Sequence, residues 1–238
     1  MDRELRAQLI DDASAPYWSA GRWAYHFARG KLGGDPYFSA VLEGGLVPRS
    51  ARYLDLGCGQ GLLAAWLLAA AKRYSRGEWG AADAPPHVRS YRGIELLPKV
   101  AQRGWTGLKA HGDRAVLEVG DMARAVLGEA EVVSMMDVIH YLVPAEQEAL
   151  LRRVRAALAP TGVLLLRVGD AAGGIPFRVS QVTDRTVTLF LGGEIPRMYC
   201  RRFGEWQTLL ESLAFSINKV MPMGGVGFAN VLIVATAQ

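Results

Sequence analysis

Cysteine is nearly absent from this 238-residue chain: Cys58 and Cys200 are the only two. Neither stands at metal-ligand spacing from a partner, and two thiols do not make a disulfide framework. No apolar run reaches the roughly 20 residues that a membrane-spanning helix needs. The longest run, around Leu62 to Ala71, is too short, so no membrane span is expected. The first residues, Met1-Asp2-Arg3-Glu4-Leu5-Arg6, are charged and lack an apolar signal-peptide core, which implies a cytoplasmic location. Internal repeats and low-complexity stretches do not occur.

What remains is a chain rich in core-forming residues. Half of the residues are hydrophobic, and the length suits one α/β domain with additions. The net charge of +4 comes mainly from dispersed arginines. The densest clusters are Arg152-Arg153-Val154-Arg155 and Arg201-Arg202; the first lies on an expected helix near Glu146 and Glu148 and reads as a solvated face. A nucleic-acid partner would need a basic stripe with interleaved aromatics, and none is expected. Attraction to an acidic partner, such as an acyl carrier protein, is compatible with the charge.

The stretch Tyr53-Leu54-Asp55-Leu56-Gly57-Cys58-Gly59-Gln60-Gly61 reads as a strand ending in an acid and then a glycine-rich turn. The apolar run from Leu62 to Leu68 follows as a buried helix. A strand, three glycines and a helix bring bare backbone against a ligand at a helix N-terminus. The spacing is G-x-G-x-G, whereas the dinucleotide fingerprint places its third glycine one position later. A pyrophosphate gains little from the adjacent Asp55, while a ligand carrying an ammonium group gains a charge-assisted hydrogen bond. Cys58 reads as a small loop residue whose role is steric.

Strands are expected at Arg52 to Leu56, Tyr91 to Glu95, Ala115 to Val119, Val132 to Met136 and Val163 to Val168. Helices are expected at Tyr37 to Glu43, Leu62 to Tyr74 and Pro144 to Leu158. Another begins at Pro98 and is interrupted by Gly104 and Gly107. Ser75 to Ser90, with two glycines and two prolines, reads as a long loop. Continuous apolar strands alternating with helices imply a parallel sheet buried on both faces. After strand five, an insertion of about residues 171–203 includes a helix over Phe177 to Leu191. A helix over Gly204 to Leu213 follows. The strands Phe215 to Val220 and Val231 to Thr236 then form a hairpin around Pro222-Met223-Gly224-Gly225-Val226-Gly227.

The run D-L-G-C-G-Q-G resembles motif I of the class I S-adenosylmethionine-dependent methyltransferases, and further motifs of that family follow in order. Strand two ends in Ile94-Glu95-Leu96, strand three in Gly120-Asp121-Met122, and strand four in Met136-Asp137-Val138-Ile139-His140-Tyr141-Leu142. The last is similar to the D-V-x-H-Y-L form of small-molecule enzymes and lacks the (N/D)-P-P-(Y/F) motif of enzymes that methylate amide or adenine nitrogens. Glu95 follows Gly61 by 34 residues (95 − 61), against about 20 in the nucleotide-binding layout, and the Ser75 to Ser90 loop accounts for the excess.

The resemblance implies a Rossmann-like, doubly wound α/β fold with a seven-stranded sheet, mostly parallel, closed by a C-terminal antiparallel hairpin. A helical N-terminal cap over residues 1–50 precedes a methyltransferase domain over residues 51–238. It implies S-adenosylmethionine as methyl donor and S-adenosylhomocysteine as product, with Asp55, Gly57, Cys58, Gly59, Gly61, Glu95, Leu96, Asp121, Met122 and Asp137 as cofactor-binding residues. Glu95 would take the ribose hydroxyls, Asp121 the adenine amino group, and Met122 the face of the ring. His140, at the carboxyl end of strand four, is the candidate general base, with orientation of the loop or lining of the pocket as its other roles.

Tyr17, Trp18, Phe27, Tyr141, Tyr199 and Phe228 are candidate acceptor-binding residues; packing of the N-terminal segment is the other role of its aromatics. Phe177, Met198, Met221 and Met223 add apolar surface. These side chains suit a small apolar or aromatic acceptor methylated on oxygen or carbon. The C-terminal pattern Phe228-Ala229-Asn230-Val231-Leu232 and the strand end Leu166-Arg167-Val168-Gly169-Asp170 are similar to small bacterial methyltransferases accompanying fatty-acid- or polyketide-like pathways, including aryl polyene pigments. That likeness implies an acceptor that can be tethered to a carrier protein. No carboxylate cluster suited to Mg²⁺ is evident, which argues against a metal-dependent catechol-type enzyme. A methyltransferase acting on protein or RNA and a non-catalytic cofactor-binding protein are the alternatives. Oligomeric state is left open.

Overall fold

The structure is a computed structural model that describes residues 1–80, 83–169, 197–223 and 230–238. Seven strands form one sheet in the order β3-β2-β1-β4-β5-β7-β6. They are β1 (Ser50–Leu56), β2 (His87–Glu95), β3 (Ala115–Val119), β4 (Ala130–Met136), β5 (Leu158–Gly169), β6 (Phe215–Pro222) and β7 (Asn230–Ala237). The pairs β1/β2, β2/β3 and β4/β5 are parallel, while β7 runs antiparallel to both β5 and β6. This is the expected mostly parallel sheet with its closing hairpin. The chain divides into two compact units, Met1–Asp121 and Met122–Gln238.

In the first unit, α1 (Arg3–Ser14), α2 (Arg22–Gly34) and α3 (Pro36–Glu43) precede β1, with a 3-10 turn at Ala15–Ala20 between α1 and α2. Asp2 and Asp35 cap α1 and α3 through their side chains, accepting from Leu5 N and Tyr37 N. Helix α4 (Leu62–Ser75) is buried without a break from Leu62 to Ala70, as its uniformly apolar sequence requires. Trp66 on α4 is fully buried and donates from Nε1 to the Phe38 carbonyl at 2.8 Å. Farther along α4, Arg73 bonds Asp12 and Gln8 of α1, at 2.6 and 2.7 Å.

Helix α5 (Pro98–Leu108) continues through Gly104 and Gly107, where the sequence pattern had placed an interruption. Both glycines answer to packing. A Cβ on Gly104 would stand 2.2 Å from Leu117 and 2.8 Å from the Gln60 carbonyl oxygen, and one on Gly107 would stand 2.4 Å from the Tyr17 ring. Strand β2 also starts four residues before the expected Tyr91, so the preceding loop is shorter than Ser75 to Ser90. Its extra residues pair Ser50 with His87 and Ala51 with Val88, before a register shift.

In the second unit, α6 (Pro144–Ala157) gives way at Leu158 directly to β5. Pro160-Thr161-Gly162, which by residue type alone would read as a turn, forms a bulge inside that strand: Ala130 pairs with Leu158, and Val132 already pairs with Val163. Thr161 takes a left-handed φ of 62° there. Helix α7 (Phe203–Ser212) buries Trp206 and Leu210. The expected helix over Phe177 to Leu191, most of the 171–203 insertion and the glycines of the hairpin joint lie outside the described residues. Among the described residues, no helix is long and apolar enough to cross a membrane.

Candidate functional site

The glycine loop between β1 and α4 owes its shape to three left-handed residues: Gly57, Gly59 and Gly61, at φ 72°, 57° and 71°. Only glycine adopts that conformation three times in five residues at little cost. The loop is fixed from several sides. Gly57 N and Cys58 N both donate to the Ile94 carbonyl at the end of β2, at 2.8 and 3.2 Å. The carboxylate of Glu95 accepts from Gly59 N at 3.0 Å and from Leu97 N at 2.9 Å. The buried Tyr17 hydroxyl donates to the Gln60 carbonyl at 2.7 Å. Asp55 is buried at the end of β1, and its Oδ2 accepts from the Tyr91 hydroxyl.

Burial governs the titrating groups around this loop. It raises Glu95 above the ordinary carboxylate value, against the lowering effect of the backbone N–H groups of Leu97, Gly59 and Leu96. Burial also raises the Cys58 thiol, and the Asp55 and Glu95 charges push the same way. A thiol held neutral is a poor nucleophile. The place of Cys58 is steric: a Cβ on Gly93 would lie 2.6 Å from its sulfur.

The second unit carries its own constellation at the carboxyl end of β4. Asp137 adopts a left-handed φ of 57° and is held by buried Arg167 of β5. Arg167 Nε lies 3.0 and 2.9 Å from the two Asp137 oxygens, Nη2 adds a further ion pair, and Asn230 Nδ2 donates at 3.3 Å. His140 follows on the 3-10 turn Ile139–Tyr141. It is 3% exposed, and neither ring nitrogen has a hydrogen-bond partner among the described residues. Burial lowers its pKa to about 4, against the raising effect of Asp137, so the ring is neutral at pH 7. The Tyr141 ring stands edge-on to it at 4.4 Å.

Tyr199 is brought to the same place: its N donates to the His140 carbonyl at 2.7 Å. Gln147 on α6 secures this arrangement, donating from Nε2 to the carbonyls of Tyr199 and Leu142 at 2.7 and 3.0 Å. Arg201 Nε donates to Gln147 Oε1 at 2.7 Å.

The family model for a methyltransferase domain matches residues 35–212. The chain belongs to that family.

No curated protein sequence matches this chain. Among solved structures, the magnesium protoporphyrin IX methyltransferase of Synechocystis PCC 6803 with bound SAH superposes with a TM-score of 0.60 at 16% identity, covering 100% of both chains. The pyocyanin biosynthetic protein PhzM matches with a TM-score of 0.61 and 17% identity over 90% of this chain and 58% of that one. An O-methyltransferase family protein from Burkholderia thailandensis gives 0.61 and 17% over 92% and 61%. The chain thus spans less than two thirds of the last two proteins. At these identities the likeness is one of fold.

The methyltransferase is an enzyme of the class I, S-adenosylmethionine-dependent type. Its glycine loop fits that donor on two structural grounds. A Cβ on Gly59 would meet no protein atom within 4 Å, so open space lies beside the backbone there. The neighbouring Gln60 amide is buried with neither atom partnered among the described residues. Among the described residues, no group of three or more His, Cys, Asp or Glu side chains is placed to hold a metal ion.

The remaining predicted residues fall as follows. Leu96 is exposed at the end of β2, and Asp121 is half-buried just after β3. Met122 is half-buried, with its carbonyl 3.3 Å from Arg153 Nη1. Tyr17 is buried under the glycine loop, against Gly107. Trp18 is 56% exposed and meets Tyr25 edge-on at 5.1 Å. Half-buried Phe27 stacks on Trp23 at 4.9 Å. Phe228 lies outside the described residues.

The sequence reading missed Arg153, Arg167 and Gln147. Arg152 does form the expected surface pair with Glu148. Arg153 instead turns to the carbonyls of Met122, Ala123 and Ala125, fixing the segment after β3. An arginine inside the apolar run Val163 to Val168 was the one available signal for Arg167.

Proposed function

We propose that this methyltransferase transfers the methyl group of S-adenosylmethionine to an oxygen or carbon of a small apolar or aromatic acceptor. When bound, the donor supplies a methyl group on a sulfonium, whose sulfur is already a good leaving group. The chain's own task is then to orient the reactants, exclude water and take a proton. Orientation alone can contribute roughly 7–11 kcal/mol when reactants are well placed.

The observation that carries the acceptor reading is His140: a buried, neutral imidazole with both nitrogens unpartnered among the described residues, flanked by the Tyr141 ring and backbone-bonded to Tyr199. A phenol has a pKa of about 10 and keeps its proton at pH 7. A neutral imidazole can accept that proton as the methyl arrives, and the nearby Asp137 charge stabilises the resulting cation. The aromatic surroundings favour a flat or apolar acceptor over a polymer backbone. Binding of a carrier protein would place the acceptor on a thioester and leave the chemistry unchanged.

The test is a labelled-methyl assay with hydroxybenzoyl and cinnamoyl-type acceptors, free and as carrier-bound thioesters, run beside cell fractions split by size. Label entering a small acceptor, with kcat reduced at least tenfold in His140→Ala, supports the reading. Label entering only protein or RNA would contradict it. Near-wild-type kcat and an unchanged pH profile in His140→Ala would remove the base assignment alone.

A further inference from the structure

The first unit turns outward a helix face that is aromatic and basic. On α2 the residues Ala24, Ala28 and Leu32 are buried, while Arg22, Trp23 and His26 lie on the opposite face, exposed. Trp18, on the 3-10 turn before α2, is 56% exposed and stands edge-on to His26 at 6.4 Å and to Tyr25 at 5.1 Å. His26 and Trp23, three residues apart, are neighbours on the helix surface. Trp23 is 42% exposed and stacks on Phe27. The guanidinium of Arg103, on α5, lies 4.4 Å from the centre of the Trp23 ring. The rings thus form one band from Trp18 across α2 to α5. A single exposed tryptophan is ordinary, but a contiguous band of large rings on a solvent face marks an interaction surface.

Charge says what kind of partner fits it. Residues 15–34 contain three bases, Arg22, Arg29 and Lys31, and no Asp or Glu; residues 96–112, which include α5, contain Lys99, Arg103 and Lys109 and again no acid. Arg29 and Lys31 are paired with Asp11 and Asp35. Arg22, Lys99 and Arg103 have no ion-pair partner among the described residues. All three border the band: Arg22 is one helical turn from His26, and Lys99 is one turn from Arg103.

Unpaired cations around exposed indoles complement a surface that is anionic at the water and apolar beneath. An anionic lipid headgroup layer has that order, and tryptophan settles at its boundary. Single-stranded nucleic acid fits less well, because its bases stack on open ring faces. Trp23 already carries Phe27 and the Arg103 guanidinium. We propose that the band from Trp18 to Trp23, with Arg22, Lys99 and Arg103, docks this methyltransferase peripherally on an anionic lipid bilayer. The proposal holds whatever the acceptor is, although an apolar acceptor would be concentrated in the same bilayer.

The experiment is flotation of the full chain with vesicles of phosphatidylcholine alone or mixed with phosphatidylglycerol. Wild type is expected to float with the mixed vesicles, to stay behind with phosphatidylcholine, and to be released by high salt. Arg22→Gln/Lys99→Gln is expected to keep the wild-type melting temperature and to partition about twentyfold more weakly, from about fivefold for each cation removed. Bromine on the acyl chains is expected to quench wild-type tryptophan emission, and to quench Trp18→Phe less. Wild type that does not float with mixed vesicles, or floats equally with both kinds, overturns the proposal. A double variant that floats as well as wild type, or quenching unchanged in Trp18→Phe, overturns this face as the docking site. Binding to polyglutamate or a single-stranded oligonucleotide, with no binding to vesicles, overturns the proposal in favour of an acidic protein or a nucleic acid.

Discussion

The Tyr17 hydroxyl donates to the Gln60 carbonyl at 2.7 Å across 43 residues of sequence, joining the N-terminal segment to the glycine loop. Burial raises this phenol far above its ordinary pKa, so it stays a donor at any working pH. Tyr17, expected among the acceptor-binding residues, stands buried beneath the glycine loop.

Tyr17→Phe removes that donor and leaves a buried carbonyl unpartnered. The expected loss is about 1–3 kcal/mol of unfolding free energy. Urea unfolding would measure it, and an unchanged midpoint would show that the bond contributes nothing.

Gly107→Ala should invert the usual rule. Alanine in a helix interior ordinarily stabilises by roughly 1 kcal/mol over glycine. Here the new Cβ would stand 2.4 Å from the buried Tyr17 ring. Overpacking of this kind costs roughly 1–3 kcal/mol, so the melting temperature should fall.

Arg167→Leu leaves Asp137 partly buried with Asn230 still donating to it. Breaking a buried pair on one side costs roughly 3–5 kcal/mol, while replacing both partners costs much less. A double-mutant cycle with Asp137→Asn should therefore show strong coupling, and additive effects would contradict the pairing.

His140 links stability to pH. Its folded pKa of about 4 lies below the ordinary 6.5, so the unfolded chain binds the proton first as pH falls. The contribution is fully present above pH 6.5 and is lost between pH 6.5 and about 4. At 1.36 kcal/mol per pKa unit the loss is roughly 3 kcal/mol. Melting temperatures of wild type should drop more steeply across that window than those of His140→Gln; parallel curves would contradict the burial of a neutral ring.

Strand ends were the legible part of this molecule. The acids Asp55, Glu95, Asp121 and Asp137 stand at or just beyond the ends of β1, β2, β3 and β4. Local pattern failed where a residue answers to a distant neighbour. Gly104 and Gly107 look like helix breakers until Leu117 and Tyr17 are seen against them. Arg153 looks like one of three solvated arginines, and only the fold shows its guanidinium among the carbonyls after β3. At Thr161 the local Pro-Thr-Gly pattern reads as a turn, and only the pairing of β5 with β4 shows it as a bulge within a strand.

The most direct measurement is the affinity of wild type and Gly59→Ala for S-adenosylhomocysteine. The protein leaves room for the new Cβ, and the left-handed φ of 57° costs about 1–2 kcal/mol, so the variant should fold. Wild type is predicted to bind one equivalent, and Gly59→Ala to bind at least tenfold more weakly, because its methyl group occupies the space beside the loop. Absence of binding to wild type, or equal affinity in the variant, would contradict the assignment of this loop to the methyl donor.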